Sequence, residues 1–179
     1  MRRSVLATAA AAAGAAAAAA AASAGALIVP IAAQAQMSLP SLFARQIRAI
    51  NAAPHAPAVL LPRSMPLDAK HLYASGGPSG SSYDLSIGAV RNCHGADACF
   101  VADFSAMKAH SVFGARVKVH GASEAGFLPL SCGASCSPPQ VDFLVHGIRY
   151  TIQANLRSAR SDRSVLIGAA QAAIGAGPR

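Results

Sequence analysis

Val141-Asp142-Phe143-Leu144-Val145-His146-Gly147-Ile148-Arg149-Tyr150-Thr151-Ile152-Gln153-Ala154 decides the fold. His146-Gly147 is a tight hairpin signal. Val141, Phe143 and Val145 share one face of the first arm, and Ile148, Tyr150 and Ile152 share one face of the second. Working upstream, Tyr83, Leu85, Ile87 and Ala89 alternate with Asp84, Ser86 and Gly88 as a half-buried strand. Further strands are predicted over Cys99 to Phe104, Val112 to His120 and Phe127 to Leu130, with Gly121 to Gly126 as a turn and Pro129 at an edge or bulge. Ser105 to Lys108 reads as a surface turn.

Downstream, Arg157, Arg160 and Arg163 recur every third residue before Val165, Leu166, Ala169, Ala170, Ala173 and Ile174. With Ser161 or Asp162 as cap and Gly175 as stop, Arg163 to Ile174 is a helix with one apolar face. A sheet with one apolar face needs a cover, and this helix supplies it. The expected fold is α+β: an antiparallel sheet of five or six strands with a C-terminal helix packed on one face.

The chain has 179 residues, four cysteines, no tryptophan, and a formal charge of +8. Met1-Arg2-Arg3, the uncharged run Ser4 to Ile31 and the small-x-small triplet Ala33-Gln34-Ala35 form a secretory signal pattern. The organisation read is therefore a signal peptide over 1–35, cleaved after Ala35, and an N-terminal leader over 36–82. A disulfide-stapled domain over 83–175 and a tail over 176–179 follow. An uncleaved anchor is the competing reading. In the leader, Ser41 to Asn51 carries an apolar stripe of Leu42, Phe43, Ile47 and Ile50, a short helix or a mobile lead-in. Prolines 54, 57, 62 and 66 keep Ala52 to Pro66 extended, and Ser75 to Ser82 is a loop by composition.

Removing the signal leaves 13 basic and seven acidic residues, a balance of +6. The surplus lies at the two ends. Nothing on the strands forms the basic, aromatic-interleaved stripe that nucleic acid requires, so no nucleic acid partner is expected. Arg157, Arg160 and Arg163 are a candidate anion-binding set, lying on one side if helical; a solvated flank is the competing reading.

Export places the cysteines in an oxidising space. Cys93 and Cys99 bracket His94-Gly95-Ala96-Asp97-Ala98, and Cys132 and Cys136 bracket Gly133-Ala134-Ser135. Three connectivities are possible. The local one, Cys93–Cys99 and Cys132–Cys136, is favoured because each segment already bends and needs no distant partner.

Cys132, Cys136 and His146 also resemble the copper-site pattern of thioredoxin-fold copper chaperones of the Sco type, although the chain lacks that family's βαβ pattern. The resemblance implies a periplasmic copper-binding or thiol-redox protein. Ser105-Ala106-Met107-Lys108 matches the S-x-x-K pair of penicillin-recognising enzymes, but their S-x-N and K-T-G elements are absent. The six histidines stand singly and the aspartates form no obvious pair. A small hydrolase with a site drawn from Asp103, His120 or Tyr150 is a further possibility. No catalytic residue or cofactor is assigned.

Four stretches, Asn92 to Cys99, Gly126 to Pro129, Ser131 to Pro139 and Gly147 to Gln153, together resemble a group of small exported bacterial proteins of unknown function. The cysteine blocks and the Gly147-Ile148-Arg149-Tyr150-Thr151-Ile152 run carry the likeness. The chain is similar, more loosely, to sheet-plus-helix modules of envelope lipoproteins, but has no lipid-anchor cysteine. These resemblances imply export and fold without an activity. The expected role is an exported, non-enzymatic binding or structural module, periplasmic or secreted. Its partner would be an unknown envelope protein or ligand, with no stable membrane span after cleavage.

Overall fold

The computed structural model describes residues 38–93 and 96–179. The signal pattern of residues 1–35 and His94 lie outside the described residues. Among the described residues nine strands form, β1 (Tyr73–Ser79), β2 (Ser82–Gly88), β3 (Phe100–Lys108), β4 (Ala115–Arg116), β5 (Glu124–Leu128), β6 (Ser131–Cys132), β7 (Cys136–Ser137), β8 (Gln140–Val145) and β9 (Ile148–Ala154). The helices are α1 (Leu39–Leu42), α2 (Ala44–Asn51) and α3 (Asp162–Ala176). Seven strands make one antiparallel sheet in the order β1-β2-β3-β9-β8-β5-β4, and β6 and β7 pair separately as a small hairpin.

The β8–β9 hairpin turns at His146 (φ 50°) and Gly147 (φ 75°). Two consecutive positive φ angles are what a two-residue turn needs to match the twist of its strands. The turn pairs Val145 with Ile148 and Val141 with Ile152, which puts the apolar residues of both arms on one face. That face continues through Phe104 and Leu85, both buried. Phe43, Ile47 and Ile50 of the N-terminal helices, Val59 to Leu61, and Leu166, Ala169, Ala170 and Ala173 of α3 complete a single core. Phe43 meets Phe104 edge-on, with ring centroids 5.9 Å apart.

Both expected disulfides are present, Cys93–Cys99 in the β2–β3 connection and Cys132–Cys136 across the β6–β7 hairpin. The α+β architecture with a C-terminal helix on the sheet is as read from the sequence, with more strands. Among the described residues no helix is long and apolar enough to cross a membrane.

Several local expectations are corrected. The segment read as a leader is core: Leu39, Phe43, Ile50, Val59 and Leu61 are almost fully buried. Ser75 to Ser79 is not loop but most of edge strand β1, where Pro78 is tolerated and Gly76 (φ 99°) brings its backbone against Asp84. The expected strand over Val112 to His120 shrinks to Ala115–Arg116. Its backbone amides are drawn to carboxylates instead: Val112 N–H donates to Glu124 and Phe113 N–H to Asp142. Part of the expected turn over Gly121 to Gly126 belongs to β5.

Ser105 to Lys108 is the end of strand β3 rather than a turn. Three residues apart on a strand, Ser105 and Lys108 point to opposite faces and cannot act as an acylating pair. Helix α3 starts where Ser161 Oγ accepts a hydrogen bond from Ser164 N–H at 3.4 Å. It runs past Gly175 and stops at Gly177, whose φ of 72° supplies the left-handed residue that ends a helix.

Candidate recognition surface

Strand alternation sends every second side chain away from the helices, and register lines these up in rows across four strands. One row is Ser86, Asp103, Gln153 and Gln140 on β2, β3, β9 and β8. The next is Asp84, Ser105, Thr151 and Asp142. All eight residues are polar, and none of the described helices covers them. The sheet is thus greasy on one face and hydrophilic on the other.

Two loops fold onto the polar face at its β8 and β9 side. The first is anchored by Asp142, only 1% exposed. Its Oδ1 accepts from Gln140 Nε2 at 2.7 Å and Thr151 Oγ1 at 2.8 Å. Its Oδ2 accepts from Phe113 N–H at 3.1 Å and faces Arg149 Nε at 4.0 Å. The Arg149 guanidinium lies over the Phe113 ring, 4.4 Å from its centroid. Gly126 allows this crossing, because a Cβ there would collide with the Phe113 carbonyl. Glu124 pairs with Arg116 beside it. The second loop carries the Cys132–Cys136 hairpin and is held by Gln153 Nε2 donating to Pro138 O at 3.1 Å.

Beyond Gln153, a cleft of about 360 Å³ opens between the two disulfide-bearing loops. Asp97 and Cys99 line it from one side and Leu130 and Pro139 from the other. Asn155 forms part of its base and fixes β3 by donating to Phe100 O at 2.8 Å. The Cys93–Cys99 bridge is seated against Gly88, where any Cβ would strike Cys93.

On the outer half of the polar face, Asp84 and Asp103 come together. Ser86 Oγ lies 3.1 Å from Asp84 Oδ1 and 2.6 Å from Asp103 Oδ1. Burial raises the Asp103 pKa from 3.8 to about 7; the Ser86 hydrogen bond opposes the rise and the Asp84 charge adds to it. The expectation that the aspartates form no pair is therefore corrected. Alternation marks Asp84 and Ser86 as outward-facing, but only the β2–β3 register brings Asp103 to them. On the opposite face, burial pushes up the Tyr83 and Tyr150 hydroxyls, and Tyr150 donates to Ala58 O at 3.1 Å.

The sequence-derived candidates do not converge. Cys132 and Cys136 are bonded to each other, and Cys136 lies beside Pro138 and Asn155 at one end of the β8–β9 hairpin whereas His146 is in the turn at its other end. Asp103 and Tyr150 are on opposite faces of the sheet, and His120 is exposed on the loop before β5. Arg157 and Arg160 are exposed and precede α3, so helical spacing does not align them with Arg163. His55, His71, His110 and His146 are exposed. Among the described residues no three His, Cys, Asp or Glu side chains are grouped as a metal site.

No protein-family model, no curated protein and no solved structure matches the chain.

Proposed function

We propose that this chain is an exported, non-enzymatic binding module of the bacterial envelope, periplasmic or secreted, whose uncovered polar sheet face recognises its partner. The observation that carries the reading is the carboxyl pair Asp84 and Asp103, gathered on one Ser86 hydroxyl with no ion-pair partner among the described residues, on the sheet face that none of the described helices packs. Placing two carboxylates together and partly burying one works against folding, and such sites cluster where proteins do their work.

The surroundings fit binding better than catalysis. The side chains Asp142, Thr151, Gln140 and Gln153 are tied down by one another and by the two loops, which presents a preformed surface. The disulfides stiffen loops that border the cleft rather than the core. Paired cysteines suit an oxidising compartment, in keeping with the signal pattern of residues 1–35.

The test is affinity purification from bacterial envelope extract with three tagged forms: wild type, Ser105→Trp on the polar face and Gln171→Trp on the exposed side of α3. Expected is a reproducible partner held by wild type and Gln171→Trp and lost from Ser105→Trp. A partner retained equally by all three, or no reproducible partner for any, would overturn the reading.

A further inference from the structure

Ser86 has one hydroxyl hydrogen and two carboxylate oxygens within hydrogen-bonding distance. It can donate to only one of them. The hydroxyl oxygen thus bridges the two carboxyls, with Asp84 Oδ1 at 3.1 Å and Asp103 Oδ1 at 2.6 Å. Making a hydrogen bond of both contacts requires a proton on one of the carboxyls, because ionised carboxylates only accept. With that proton the cluster is closed: Ser86 donates to one carboxyl, and the protonated carboxyl donates to the Ser86 oxygen. Without it, two negative charges face each other across the β2–β3 seam, with the half-buried Asp103 the less solvated of the two.

Among the described residues no cationic side chain pairs with either carboxylate. In the register Asp84 stands opposite Gly77 on β1 and Ser105 on β3. Ser86 stands opposite Ser75, and Asp103 opposite Gln153. None of these side chains ionises. Gln153 is committed to Pro138 O, and Thr151, beyond Ser105, to Asp142. Arg149, further along β9, is engaged with Asp142, Phe113 and Met107, and Arg91 stacks on the Tyr73 ring at 5.4 Å. The helices lie behind the opposite face.

The seam also divides the sheet unequally. On its outer side are only β1 and β2, with β1 an edge strand that contains Gly76, Gly77 and Pro78. On its inner side are five strands. Repulsion at the seam therefore acts on the smaller part, which Tyr83, Leu85 and Ile87 tie to the core on the opposite face while its β1 edge has no neighbour in the sheet.

We propose that Asp84, Ser86 and Asp103 form a proton-operated latch: one shared proton holds the β1–β2 hairpin tightly to β3, and its release to solvent loosens the hairpin and reshapes the outer half of the recognition face. The latch is a mechanical property of the fold, and its role in regulating binding rests on the function proposed above. No bond other than those to the shared proton is made or broken.

Hydrogen exchange of the disulfide-intact protein tests the latch without a partner. Peptides covering Tyr73–Gly88 are followed at pH 5.5 and pH 8.0, corrected for intrinsic exchange, with Gln140–Ala154 as the internal reference. In wild type, protection of the hairpin relative to the reference falls about tenfold or more at the higher pH. In Asp103→Asn, whose amide donates where the shared proton did, protection stays high at both pH values. Equal relative protection of the wild-type hairpin at both pH values, or an undiminished pH effect in Asp103→Asn, would overturn the latch. A carboxyl-carbon NMR titration of wild type reads the proton without any substitution. One of the two carboxyls should titrate near pH 7, and both titrating below pH 5 would refute the sharing. A failed latch beside a partner still sensitive to Ser105→Trp leaves the recognition reading standing; the reverse pattern removes that reading and keeps the latch.

Discussion

Replacing Asp142 by alanine is the sharpest way to ask whether the polar face is built or merely exposed. Its carboxylate is 1% exposed and accepts from Gln140, Thr151 and the Phe113 backbone, with Arg149 at 4.0 Å. Alanine leaves three donors without their acceptor and the Arg149 charge, 15% exposed, without its counter-ion. Removing one member of such a network costs roughly 3–5 kcal/mol, mostly as the penalty on the groups left behind. Asparagine retains one acceptor oxygen but turns an amide toward another donor, so its cost falls about halfway. With a urea slope of about 1–3 kcal/mol/M, the alanine variant should unfold at a midpoint lower by roughly 2 M. Hydrogen exchange should also show the Phe113 amide losing its protection. A loss below about 1 kcal/mol for Asp142→Ala would refute the claim that this carboxylate organises the face.

Four further outcomes are expected. Asp103→Asn should leave stability unchanged near pH 4 and raise it at pH 8, by an amount on the order of a few kcal/mol. The sign follows from a folded pKa of about 7 above an ordinary value of 3.8: stability tied to the protonated form is full below 3.8 and lost as pH rises through 7. Denaturant melts at several pH values check this. Gly126→Ala should destabilise by about 1–3 kcal/mol by forcing the Phe113 carbonyl off the sheet, read in the same melts. Replacing either cysteine pair by serine should cost about 2 kcal/mol, because each closes a short loop, and Ser161→Ala should cost about 1 kcal/mol by uncapping α3. Thermal or urea unfolding measures both.

What the sequence discloses and what it hides follow from the range of the interactions. The β8–β9 hairpin is legible because turn chemistry at His146-Gly147 and the alternation of its arms are local. So are the helix cap at Ser161 and the two disulfides, each closed within a few residues. The role of Leu39, Phe43 and Ile50 is not local. Their helices are short, and only the far-off Phe104 and its neighbours explain why they stay in place. Strand β1 is hidden because Gly76-Gly77-Pro78 has the composition of a loop, and pairing with β2 overrides it. Val112 to His120 errs the other way: its alternation is that of a strand, but Asp142 and Glu124 capture its first amides before a partner strand can.

The candidate site depends on register more than on residue type. Asp84 and Ser86 are outward by alternation alone, but Asp103 reaches them only through a β2–β3 pairing that shifts between Ile87 and Gly88. One residue of slip would turn Asp103 to the core side. Asp142 sits in a run of hydrophobic residues, and its opposition to Thr151 is what makes its burial tolerable.

In the proposed function the polar sheet face, and not the helical side, meets the partner. Photo-crosslinking in living cells tests it most directly, with a photoreactive residue placed at Ser105 in one strain and at Gln171 in another. A discrete crosslinked adduct from position 105, absent from position 171, is the predicted result. Adducts of the same size and yield from both positions, or from position 171 alone, would contradict it.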